Sequence, residues 1–147
     1  KIRASDDIDM LIALGRDPLV IKETRADAIA GLVELMDETW AAAPTIRHKT
    51  LVLIGARDQV VPVAAQQRFV ATLGSPACDV AVYPDGWHLL LRDLQRERVW
   101  RDILAWVAGE PLPSGLAGPC PNGGAATTAK APAQPAIGGA GVPVARG

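Results

Sequence analysis

At 147 residues, nearly half of them apolar, the chain is long enough for one domain with a buried core. Its 15 Lys plus Arg and 16 Asp plus Glu leave a net charge of -1, which provides neither the basic stripe that binds nucleic acid nor an acidic tail. Cys78 and Cys120 stand far apart and match neither a disulfide framework nor a metal-ligand spacing, so a reducing, cytoplasmic setting is expected, and no run approaches the roughly 18 to 20 apolar residues of a membrane span.

The chain opens on Lys1 rather than Met, and Ile2 to Asp9 lacks the apolar stretch of a signal peptide, so localisation signals and further catalytic residues are expected upstream. Ser5 followed by Asp6 and Asp7 predicts a helix start, because a hydroxyl cap and first-turn acids satisfy free N–H groups and the helix dipole. Gly15 and Pro18 end that short helix. A longer one has Thr24 as its cap and Ile29, Leu32, Val33, Met36 and Trp40 at intervals of three and four, which puts them on one face; Pro44 closes it.

TLVLIG, Thr50 to Gly55, is apolar at successive positions and suits a strand of a parallel sheet covered on both faces. DVAVY, Asp79 to Tyr83, is the second such strand. Between them Pro62 opens a helix that Val63, Gln67, Val70 and Leu73 carry to a stop at Gly74. A last helix, from about Leu94 to Val107, shows a stripe of Val99, Trp100, Ile103, Leu104 and Val107 and stops at Gly109. Trp40, Trp100 and Trp106 are read as core. From Glu110 to Gly147, Pro, Gly and Ala dominate, and such a segment cannot bury enough side chain to offset an ordering cost of about 1 to 2 kcal/mol per residue; a disordered tail is expected there.

The strand–helix–strand–helix order argues for an α/β fold with a parallel sheet and its helices packed against it. The first 45 residues are helix and loop and read as an appendage. Three regions follow: 1–45, a core of 46–109, and a tail of 110–147. A sheet of two strands alone would leave an edge and much of a face uncovered, so the isolated chain is expected to be loosely packed or poorly soluble.

Asp58, in GARDQVVP, follows the first strand, and His88, in PDGWHLL, follows the second. Both therefore lie at the carboxyl edge of the sheet, where crevices form in open α/β folds. Neighbouring strands are about 5 Å apart, so the two side chains can reach hydrogen-bond distance. A carboxylate on one imidazole nitrogen fixes the tautomer and stabilises the imidazolium that forms when the other nitrogen takes a proton. Plainer readings stand beside this one: Asp58 as a cap ahead of Pro62, and His88 as a loop histidine packed by Trp87. Asp85 is the rival acid, although its place before Gly86 suits a turn, and His48, between Arg47 and Lys49, reads as a solvated loop residue.

LVLIGARDQVVP and VAVYPDGWHLLLRD together resemble the last part of α/β-hydrolases of the monoacylglycerol lipase, lysophospholipase and serine aminopeptidase-like branch, over Asp17 to Gly109. The resemblance implies that Asp58 is the orienting acid and His88 the general base of a triad, that the helices before Pro44 are a cap over an acyl pocket, and that the substrate is a small acyl ester or lipid-like molecule, with no cofactor or metal. The chain departs from that pattern in its nucleophile. Ser5, Ser75 and Ser114 are its only serines, and none stands on a G-x-S-x-G elbow. The oxyanion donors that accompany such a serine are missing with it. The chain by itself is expected to be inactive. Related folds with an upstream Asp or Cys cleave halides or epoxides with the same histidine, and a non-catalytic remnant or binding module is the reading from a different class.

Overall fold

The structure, a computed structural model, describes residues 2–121. Two helices come first, α1 (Ile8–Arg16) and α2 (Ala26–Ala42), followed by a single 3-10 turn, Ala43–Thr45. Strand β1 (Thr50–Gly55), helix α3 (Val63–Val70), strand β2 (Cys78–Tyr83) and helix α4 (Arg96–Ala108) form the α/β unit, and a short strand β3 (Ala117–Pro119) ends it.

Strands β1 and β2 pair in parallel, Thr50 opposite Cys78 through Gly55 opposite Tyr83. Because alternate side chains of a strand leave opposite faces, each face of this pair builds its own core. Val52 and Ile54 of β1 join Cys78, Val80 and Val82 of β2 in a cluster with Val63, Phe69 and Val70 of α3. Leu51 and Leu53 join Ala81 and Tyr83 on the other side, where Val99, Ile103 and Trp106 of α4 cover them. This two-sided burial explains the unbroken apolar run of the strands.

The chain beyond α4 departs from the tail expected at 110–147. Gly109 takes the left-handed conformation (φ +80°) that ends α4, Leu112 is buried, and β3 returns antiparallel along β2 with Asp79 opposite Pro119. The sheet is thus mixed, in the order β1-β2-β3. Residues 122–147, the rest of the expected tail, lie outside the described residues.

The antiparallel return also overturns the reading of the cysteines. Cys78 and Cys120 are 42 residues apart in sequence, yet their Cα atoms are 5.3 Å apart and they form a disulfide, and the Cys120 amide donates to the Cys78 carbonyl at 3.0 Å. Spacing could not show this, because only strand pairing brings the two together. The argument from unpaired cysteines to a reducing, cytoplasmic compartment therefore falls. No helix among the described residues is long and apolar enough to cross a membrane.

Other expectations are corrected in detail. Asp7, not Ser5, caps α1, accepting the Met10 amide at 2.9 Å, while Ser5 is fully buried. Arg25 rather than Thr24 stands at the start of α2, with no side-chain cap. In α4 the inward face is Val99, Asp102, Ile103, Ala105 and Trp106, and Trp100, Leu104 and Val107 are exposed. Two apolar stripes interleave on this helix, and the one that is buried carries a carboxylate. Asp102 tolerates burial because it accepts the Tyr83 hydroxyl at 2.7 Å and the Ser114 amide at 2.9 Å. Burial works against the charge of Asp102, but Ser114, Tyr83 and the charge of Arg98 outweigh it and hold the carboxyl below its ordinary range. Burial and the Asp102 bond push the Tyr83 phenol up.

Candidate active site

The loops after β1 and β2 are tied together at the carboxyl edge of the sheet. Ala56 N–H donates to the Tyr83 carbonyl at 3.0 Å and Arg57 N–H to the Gly86 carbonyl at 2.8 Å. The Arg57 guanidinium pairs with Asp85 across the same rim. Glycine is required at 55 by this closeness: a Cβ there would lie 2.4 Å from the Trp87 carbonyl oxygen and 2.7 Å from that of Gly86.

Asp58 and His88 face each other across the tied loops. His88 Nδ1 lies 3.0 Å from Asp58 Oδ2, with the Asp58 side chain buried (6 % exposed) and the imidazole partly open (36 %). The other lone pairs of Asp58 are also met. Oδ1 accepts the amides of Val60 at 2.8 Å and Val61 at 3.0 Å, and Oδ2 accepts Gln66 Nε2 at 3.0 Å. Burial raises the cost of its charge, but the Val61 amide, His88 and the Val60 amide together hold the carboxyl below the usual carboxylate value. A neutral imidazole donates to an ionised Asp58 only as the Nδ1–H tautomer, in which Nε2 keeps a lone pair. Nε2 makes no hydrogen bond among the described residues.

Asp58 does not cap α3, whose first residues follow Pro62 without a side-chain cap; its turn-like bonds to Val60 and Val61 aim the second oxygen at His88. Asp85, the rival acid, is engaged with Arg57, not His88. His48 is exposed in its loop, and its carbonyl accepts the hydroxyls of Thr50 and Ser75. None of the three serines bonds to His88. Ser5 Oγ donates to Asp93, Ser75 Oγ to the carbonyls of His48 and Ala77, and Ser114 Oγ accepts the Leu116 amide.

Gln66 was not singled out by the sequence, which put Gln67 on the inner stripe of α3; the helix turns Gln66 inward and leaves Gln67 exposed. A polar residue on an otherwise apolar face, one turn past Pro62, was the available signal. Beside the imidazole a cleft of about 400 Å³ is walled by Leu53, Leu89, Leu90 and Ile103, with Arg92 at its border. Among the described residues no group of three or more His, Cys, Asp or Glu side chains is arranged to hold a metal ion.

The profile of the family described as serine aminopeptidase, S33, matches residues 2–95, which include both loops of the rim. The chain belongs to this family. Its members are α/β-hydrolases, and the βαβα unit described above is a partial form of that fold. The chain is also 27 % identical over 109 residues to the monoacylglycerol lipase of Mycolicibacterium smegmatis, a match that covers 65 % of this chain and 38 % of the relative. The chain thus spans well under two thirds of the length of this relative. The matched family segment ends at Gln95, so α4 and β3 lie beyond it.

Proposed function

We propose that this chain supplies the orienting acid, Asp58, and the general base, His88, of serine-type ester hydrolysis on a lipid-like acyl ester such as a monoacylglycerol. The observation that supports it is the 3.0 Å contact between Nδ1 and a buried, fully partnered carboxylate, with Nε2 left without a bond beside an apolar cleft. In this reading Nε2 takes the proton of a serine hydroxyl as that oxygen attacks the acyl carbonyl. Asp58 stabilises the imidazolium, which then protonates the departing alcohol; a water molecule repeats the sequence and frees the acid. The serine and its oxyanion donors come from residues outside the chain, since Ser5, Ser75 and Ser114 are engaged elsewhere. Residues 1–45 act as a cap over the acyl chain, and the cleft walled by Leu53, Leu89 and Leu90 receives part of it. The name of the mycobacterial relative supports a glyceride as substrate.

The test is hydrolysis of p-nitrophenyl esters and of a 1-monoacylglycerol by the protein as its genome encodes it, beside the variants Asp58→Asn and His88→Ala. Each substitution is expected to lower kcat about 10⁴-fold with the far-ultraviolet signal of the fold retained. Normal turnover in either variant removes that residue from the mechanism.

A further inference from the structure

The backbone on both sides of His88 is anchored, before it by the side chain of Asp93 and after it by the N-terminal segment. The Trp87 amide donates to Asp93 Oδ2 at 2.7 Å, and the Leu89 amide donates to the Ala4 carbonyl at 2.9 Å. The other oxygen of Asp93, Oδ1, accepts the Ser5 hydroxyl at 2.6 Å, and Ser5 Oγ in turn accepts the Asp7 amide at 3.2 Å. Asp93 and Ser5 are both fully buried. Arg3 carries the same segment across the rim: its guanidinium carbon lies 4.8 Å from the centre of the Trp87 ring, and its amide donates to Gln59, the neighbour of Asp58.

A buried acceptor that meets two buried donors holds all three in one arrangement, because any other leaves polar groups unpaired. The direction of the His88 side chain is set by the two peptide planes that flank it, and peptide planes are rigid. The plane between His88 and Leu89 is fixed by Ala4, from the segment that Asp93 ties down through Ser5, and Asp93 itself fixes the Gly86–Trp87 plane, one residue before those that flank His88. A bond of 3.0 Å between Nδ1 and Asp58 requires that direction to be held closely.

We propose that Asp93, bound to Ser5, is a positioning residue for the His88 imidazole, acting through the backbone of Trp87 and the strap of residues 3–7. It rests on the reading of Asp58 and His88 as acid and base. Asp93 itself touches no reacting atom; its part is to keep the imidazole in the Nδ1–H tautomer by keeping it against Asp58.

The test is nitrogen NMR of the imidazoles in the 147-residue chain, where a His48→Gln background leaves His88 as the single histidine. Nitrogen shifts report which ring atom carries the proton, and a free imidazole favours the Nε2–H tautomer. Asp93→Ala is expected to move His88 from the Nδ1–H form toward the free mixture and to remove its downfield Nδ1 proton signal. Asp93→Asn, which keeps an acceptor for the Trp87 amide, restores most of the signal, and Ser5→Ala gives a smaller shift in the same direction. Tyr83→Phe unlinks the other fully buried carboxylate, Asp102, and is expected to lower the unfolding midpoint while leaving the tautomer as in the parent. An unchanged His88 spectrum in Asp93→Ala, or in Ser5→Ala where the alanine variant does not fold, overturns the proposal. So does a shift in Tyr83→Phe as large as that in Asp93→Ala. Failure of the acid–base reading has its own signature: Asp58→Asn would then leave the parent spectrum unaltered.

Discussion

Helix α2 and the sheet with its rim are built by opposite rules. In α2 no residue is buried, and Ile29, Leu32, Val33, Leu35 and Met36 are all exposed. The helix meets the rest of the chain at its C-terminal end, where Trp40 stands edge-on to Phe69 with ring centres 5.6 Å apart and the carbonyl of buried Ala43 accepts the Gly74 amide. At the rim, by contrast, each polar group of Asp58 has a partner and two loops share backbone bonds, and elsewhere in the same unit two further carboxylates, Asp93 and Asp102, are buried with theirs. The contrast shows where this chain places its specificity. The rim is a dense hydrogen-bond system held from several segments, whereas α2 has an apolar side that the described residues leave uncovered.

The largest test of that contrast removes the clasp of the sheet. In the chain-entropy account a disulfide closing a loop of 42 residues stabilises by about 4 kcal/mol, so Cys120→Ala should lower the unfolding free energy from urea titration by that amount while the far-ultraviolet helical signal without urea is little affected. Equal melting of parent and variant in a calorimeter would place the strength of the sheet elsewhere. Gly55→Ala comes next: its Cβ would press on the Trp87 and Gly86 carbonyls, which should cost about 2 kcal/mol and part the two loops. Ester hydrolysis and the His88 nitrogen spectrum should change together in that variant.

Acid should also separate the two regions. Asp58 and Asp102 have carboxyl pKa values lowered in the folded chain, so the unfolded chain binds more protons as pH falls. Their contribution is present above the unfolded carboxylate value of about 3.9 and is lost as pH falls through the folded values. Denaturant titrations from pH 7 down to pH 2 should show stability declining below about pH 4, and a flat profile would show that neither carboxylate is linked to folding. The smallest effect is expected on α2. Leu35→Gln, at a side chain 57 % exposed, should change stability by less than about 0.5 kcal/mol. A cost of several times that would mean that the apolar side of α2 is covered in solution.

Much of the α/β unit was readable in sequence because its signals are local. TLVLIG is β1 residue for residue, and β2 differs from the expected strand by one residue at its start. Pro62 and Gly109 bound helices where their backbone preferences put them. Asp58 and His88 could be proposed as partners because adjacent parallel strands end at one edge, an argument from topology that needs no coordinates.

What only the tertiary structure decided involves contacts between residues far apart in sequence. Burial of Ser5 follows from Asp93, 88 residues on, and the pairing of Cys78 with Cys120 follows from a strand in a segment whose Pro and Gly content argued against one. The inward face of α4 was concealed by Asp102, whose cost of burial vanishes only once Tyr83 and Ser114 arrive beside it. Sequence patterns report the preference of a backbone for helix or strand, which is set within a few residues. Whether a polar side chain is buried depends on the partners that folding brings to it, and those come from anywhere in the chain.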